Sequence, residues 1–231
     1  MKRRGLAHLE IVLAFVLFIG VIGFGFYFLG HSNKVNLVEK NLDYIEREIK
    51  KDLTSEASAQ SLKINTRTGN SFAVELTKES GENFAVENSS GDVINSKFDN
   101  GILYFDAQSG DIYTIRKSLD INEINDFSGS LPAHDENNYK LGPEIESSVY
   151  SEEKALGLNE SYYNNYGTLL ERYGIGNRVN FGFQIIFEGD GRITAESEVP
   201  ESYEIFLRSE RAEFLRSGGE LEFAEVIVKV W

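Results

Sequence analysis

Twenty consecutive positions, Ile11 to Gly30, carry no charged side chain. At ~1.5 Å of rise per residue a helix of that length reaches ~30 Å, the thickness of a bilayer's hydrocarbon core. A surface helix of a globular domain is apolar along one stripe, not on every face. The run therefore predicts a transmembrane helix over residues 6–30. Beyond it the pattern changes. Val35, Val38, Leu42, Ile45, Ile49 and Leu53 recur at spacings of three and four, opposite Glu39, Lys40, Asp43, Glu46, Arg47, Lys50 and Lys51. That spacing predicts an amphipathic stalk helix, placed over 31–58, with residues 30–33 as a hinge.

Residues 60–118 switch to a shorter period. SLKINT and SFAVELT flank Arg67-Thr-Gly-Asn70, NFAVEN and DVINS flank Ser89-Ser-Gly91, and ILYFDA and DIYTIRK flank Gln108-Ser-Gly110. Six short segments separated by turn residues predict an antiparallel β meander. Residues 127–143 have no period and hold two of the three prolines, which predicts a long loop.

In the half 144–231, helical spacing returns at 151–173. Ala155, Leu158, Tyr162, Tyr166, Leu169 and Tyr173 share a stripe, Ser151 is the expected N-cap, and a break is expected near Asn159. In RVNFGFQIIF, Val179, Phe181, Phe183, Ile185 and Phe187 alternate with wetter residues, a strand with one buried face. The terminal ELEFAEVIVKVW alternates with a change of parity at Ala224-Glu225, which predicts a β-bulge. Residues 203–216 read as two short strands, with a helix over 206–216 as the runner-up. The fold class expected is thus α+β: an N-terminal transmembrane and stalk helix, then a mostly antiparallel β head with one Tyr-rich helix. The head is placed at 59–231 and expected to fold without the residues before it.

Charge adds an orientation. Lys2, Arg3 and Arg4 crowd the N-terminal flank of the apolar run, and basic residues stay on the cytoplasmic side. The expectation is a single-pass protein of the cell membrane with a cytoplasmic N-terminus and an extracytoplasmic head. Of 23 basic and 37 acidic residues, three and one fall within residues 1–30, which leaves 20 and 36 beyond. So acidic a surface disfavours nucleic acid as a partner. The absence of cysteine excludes disulfides, thiolate nucleophiles and Cys-type zinc sites.

The stretch Gly5-Leu-Ala-His-Leu-Glu10 gives the opening a second meaning. A short basic leader ending in Gly, a Glu five residues beyond it and an apolar run of about twenty residues resemble the class III signal of type IV prepilins and archaeal pilin-like proteins. The resemblance implies a leader of residues 1–5, cleavage by a prepilin peptidase between Gly5 and Leu6, and pairing of Glu10 with the new amine of Leu6 on the same or a neighbouring chain. It further implies assembly through the N-terminal helix, with Gly20, Gly23 and Gly25 letting helices approach. The Tyr-rich helix followed by NFGFQI and VIVKVW is similar, more loosely, to heads of such proteins.

Enzyme chemistry finds little footing. The histidines, His8, His31 and His134, lie far apart, and no HExxH, GxSxG, P-loop or GxGxxG is present. No cofactor and no metal is implied; the acidic loops 120–126 and 135–138 lack EF-hand spacing. Asn88-Ser-Ser and Asn159-Glu-Ser are glycosylation sequons. The function expected is a membrane-anchored, pilin-like structural subunit of the cell surface, with the lipid bilayer, the peptidase and its own or other pilin-like subunits as partners. The alternative is a monomeric membrane-anchored module that binds a solute or a surface.

Overall fold

The computed structural model describes residues 3–66, 70–107, 112–124, 126–128, 133–176, 179–189, 191–199, 201 and 203–231; at 3–11, 28–37 and 136 it describes the backbone alone. The chain opens with one unbroken helix, α1 (Arg3–Leu53), of 51 residues, about 76 Å long at 1.5 Å per residue. No interruption marks the hinge expected at 30–33. The stripe Leu42, Ile45, Ile49 and Leu53 is buried, 0–4% exposed, and Val38 packs beside it. The helix ends five residues earlier than expected. Leu53 is followed at once by strand β1 (Thr54–Ile64).

Two sheets follow. The larger, a curled sheet of nine strands, has the order β10-β9-β12-β11-β8-β1-β7-β3-β4, and the smaller the order β2-β6-β5. The strands are β2 (Ser71–Glu75), β3 (Asn83–Glu87), β4 (Val93–Ile94), β5 (Ser96–Asp99), β6 (Ile102–Asp106), β7 (Ile112–Ser118), β8 (Tyr139–Ser151), β9 (Phe181–Phe187), β10 (Arg192–Ala195), β11 (Phe206–Leu215) and β12 (Leu221–Val230). Two short helices, α2 (Glu152–Asn164) and α3 (Tyr166–Arg172), and a 3-10 turn at Glu136–Asn138 complete the described elements.

One face of the large sheet carries two separate covers. Over β9, β11 and β12 lie α2, α3 and the foot of α1, with Phe181, Phe183, Ile185 and Val226, Val228 and Val230 beneath them. Over β1, β3 and β7 lies the small sheet, which closes on Leu62, Phe72, Phe84, Phe105 and Tyr113. The opposite face carries a smaller cluster, Ala57, Ala85, Val149 and Leu215. Gly219, at φ +96°, brings the β11–β12 turn so close that a Cβ there would sit 2.1 Å from the Ala85 Cβ.

The α+β expectation is therefore corrected to a mostly β fold. The transmembrane stalk is corrected too: among the described residues no helix is long and apolar enough to cross a membrane. The single-pass, membrane-bound, cell-surface and extracellular readings lose their footing with it, as does the orientation drawn from Lys2, Arg3 and Arg4. The type IV pilin-like and class III signal readings gain no membrane helix to rest on.

Other differences are local. Residues 139–143 of the expected loop are the start of β8. Residues 206–215 form one strand, not two. β12 pairs with β11 and β9 without a register shift, so the parity change is no bulge. Phe223 simply lies on the outer face, where the Arg211 guanidinium stacks 4.3 Å from its ring. The helix break falls at Asn165 instead of near Asn159. Ser151 does cap α2, accepting from the Lys154 N–H at 3.2 Å.

Candidate functional site

α1 divides into two parts with opposite environments. From Val12 to Tyr27 its large apolar side chains are exposed on every face, from 39% at Ile22 to 75% at Phe26. Fully burying one such side chain is worth ~1.5–3 kcal/mol, so this segment presents a surface that needs a cover. Gly20, Gly23 and Gly25 lie within it. A Cβ added at any of them meets no atom within 4 Å, so each is open to a neighbouring helix. Gly5, Leu6 and Glu10 fall on helical backbone of α1, but their side chains lie outside the described residues, as do those of His8 and His31.

The foot of α1 is held by charge as well as by its buried stripe. Lys50 reaches Glu210 at 2.5 Å and Glu46 at 2.7 Å. Arg208 reaches Glu46 at 2.8 Å and Asp43 at 2.6 Å. Burial pulls the Lys50 ammonium down, and the hydrogen bonds to Glu210 and Glu46 outweigh it, so its pKa is raised. Tyr150 donates to Glu210 at 3.2 Å, and burial, then the Glu210 charge, push its phenol up to about 12. Asp52 pairs with Arg172 and accepts from the Tyr173 hydroxyl at 2.6 Å, which fastens the last turn of α1 to α3. The upper segment thus projects from a base anchored on three sides.

Between the two covers of the large sheet the floor is polar. One recess of about 550 Å³ is lined by Glu56, Ser58, Glu79, Glu82, Lys117, Glu144 and Glu146, among others. A second, of about 830 Å³, lies across Lys117 and Glu144 and reaches Gln60, Glu75, His134, Asp135 and Tyr139. Lys117 and Ser58 both bond the Glu144 carboxylate, Ser58 at 2.6 Å, and hold its pKa below the ordinary value. His134 stacks on Phe72 with centroids 4.1 Å apart, and its Nδ1 lies 3.2 Å from the Ala73 N and 3.3 Å from the Ala73 carbonyl oxygen. Both recesses are open shelves between layers and not enclosed cavities.

The remaining candidates are placed as follows. Among the described residues no group of three or more acidic or histidine side chains is arranged to hold a metal ion. Asp135, in one acidic loop, caps the 3-10 turn by accepting from the Asn137 N–H at 2.9 Å. Asn88 shapes the β3–β4 turn: its Oδ1 accepts from the Ser90 and Asp92 N–H groups, and its Nδ2 donates to Asp92 at 3.2 Å. Asn159 lies mid-way along α2 with its Oδ1 buried and without a hydrogen bond among the described residues. Tyr162 and Tyr173 are core residues, 3% and 1% exposed.

Sequence reasoning found the apolar segment and its glycines. It missed the polar shelf, because Ser58, Lys117 and Glu144 come from three strands far apart in the chain. No family model, curated protein or solved structure matches the chain.

Proposed function

We propose that the protein is a structural subunit that assembles with copies of itself by packing residues 12–27 of α1 into a helical bundle. The observation that carries the reading is the all-round exposure of that segment on a helix whose foot is built into the head. Twelve large apolar side chains lie exposed there. Covering half of them releases on the order of 9–18 kcal/mol before the losses of association. Because the segment is apolar on every face, it suits several neighbours at once, as in a bundle, better than a single partner. Gly20, Gly23 and Gly25 give neighbouring backbones room to approach. The likeness of the N-terminus to pilin-like proteins, which assemble through this helix, points the same way.

The test is sedimentation velocity on the full chain and on Phe18→Asp/Val21→Asp. Wild-type protein is expected to sediment as oligomers in aqueous buffer and the variant as a monomer with an unchanged melting temperature. A wild-type chain that stays monomeric at micromolar concentration, or a variant with undiminished oligomers, overturns the reading. A second reading, a module that binds a small polar ligand, is favoured by the shelf of about 830 Å³ that gathers Gln60, Glu75, His134 and Asp135. Chemical-shift changes confined to these residues on titration with a panel of sugars and amino acids would support it.

A further inference from the structure

The large sheet is nearly split in its middle. β8 pairs with β1 along its whole length, from Thr54↔Tyr150 to Ile64↔Tyr139. On its other side it meets β11 at two positions only, Phe214↔Tyr150 and Leu215↔Ser151, where the strands run parallel. Toward Tyr139 the two strands part. Residues 143–148 of β8 are all exposed, and β11 is exposed or half-exposed from Phe206 to Glu213. Residues 144–149 therefore form an open edge inside a nine-stranded sheet, a row of backbone donors and acceptors with no strand beside it among the described residues.

The edge has defined ends. At one, β8 bulges between Gln60 and Leu62, where Gly142 and Pro143 face Ser61. A Cβ on Gly142 would lie 2.2 Å from the Ser61 Oγ, and Pro143 has no N–H to offer. At the other, Tyr150 is already paired with β11. Six residues remain, about 20 Å of strand, with alternate residues turning their N–H and C=O outward.

The side chains select what can fill it. Glu144, Glu146 and Ser148 lie on the face that carries the acidic shelf, where Glu56, Glu79 and Glu82 add charge and Lys117 answers Glu144 alone. Ile145, Ser147 and Val149 lie on the other face. Two copies joining these edges antiparallel about Ile145 would set Glu144 directly opposite Glu146, which is repulsive. In that register the edge disfavours its own copy, and its carboxylates suit an extended segment with cations at alternate positions.

We infer that residues 144–149 of β8 are a docking edge for an extended partner peptide with lysine or arginine at every second position. The peptide adds as a strand antiparallel to β8. Its backbone pairs with the outward amides and carbonyls, its cations lie over Glu146 and the acidic shelf, and its small apolar residues lie beside Ile145 and Ser147. This inference is independent of assembly through α1, whose exposed segment lies outside the edge.

Hydrogen exchange on the full chain tests it, with a synthetic alternating Lys-Val hexapeptide as the probe. With the peptide at ten times its dissociation constant, alternate amides within 144–149 are expected to slow about tenfold. Added salt should weaken binding. Glu146→Lys, with an unchanged melting temperature, should weaken it about fivefold. An alternating Glu-Val peptide and a backbone N-methylated Lys-Val peptide should both fail to protect the edge. The inference is overturned if protection falls elsewhere or is absent. It is equally overturned if the Glu-Val or N-methylated peptide protects as well, or if 144–149 are protected in the free protein and released by dilution, which would make the edge an interface between copies.

Discussion

Cutting the chain at two places separates the two parts of α1. Removing residues 1–37 takes away the exposed segment and leaves Val38–Leu53 in place. Removing residues 1–58 also takes Leu42, Ile45, Ile49 and Leu53, each 0–4% exposed, and shortens β1 from Thr54–Ile64 to its last six residues. Four fully buried side chains of this size contribute ~6–12 kcal/mol in total. A domain's whole stability is ~5–15 kcal/mol. The longer deletion further strips Glu210, Arg208, Arg172 and Tyr173 of their partners on α1. We expect the chain from residue 38 to unfold in one cooperative denaturant transition and the chain from residue 59 to show none. Trp231, the single tryptophan and 7% exposed, reports the core by its fluorescence. Ile49→Ala should give an intermediate loss of ~2–5 kcal/mol. A cooperative transition at the same midpoint in the chain from residue 59 would refute the argument that the foot of α1 belongs to the head.

Two further outcomes follow from buried polar groups. Arg116 and Glu87 form a bidentate pair at 2.8–2.9 Å, with side chains 9% and 11% exposed. Arg116→Met should cost ~3–5 kcal/mol in denaturant unfolding by stranding the carboxylate, and Arg116→Met with Glu87→Leu distinctly less; equal losses would refute the pairing argument. Burial pushes the phenols of Tyr150 and Tyr162 up from 10.0 to about 12. The unfolded chain releases these protons first, so their contribution is whole below pH 10 and drains away as pH rises to about 12. Thermal melts should hold steady up to pH 10 and fall through that window together with phenolate absorbance; a flat profile would count against it.

What the sequence made legible was what depends on local period. The stripe of α1 from Leu42 to Leu53, the alternation of Phe181 to Phe187 and the Ser151 cap each come from neighbours in the chain, and each is found in place. The pairing of β1 with β8 was not legible, because it joins residues about ninety positions apart. β8 itself was hidden by Gly142-Pro143, which reads as a turn, and by an open edge that leaves Glu144 to Ser148 without a buried alternate. In the apolar run, periodicity measures hydrophobicity but does not name the cover. Lipid and a bundle of like helices leave the same signature in residues 12–27. The apolar segment was therefore legible while the membrane read around it was not supported, and the polar shelf, assembled from three distant strands, carried no sequence signature.

The direct passage from Leu53 into Thr54 has a mechanical consequence. No linker stands between the long helix and the sheet, and the strand that continues it is held by β7 on one side and β8 on the other. A pull on the helix reaches β1 with no intervening slack, alongside the contacts that hold the foot of α1. The backbone bonds of β1 to both neighbours then share the load. The rod thus enters the head through a strand paired on both sides, so that in a chain built into a larger body through α1 the load would fall on an interior strand and not on an edge.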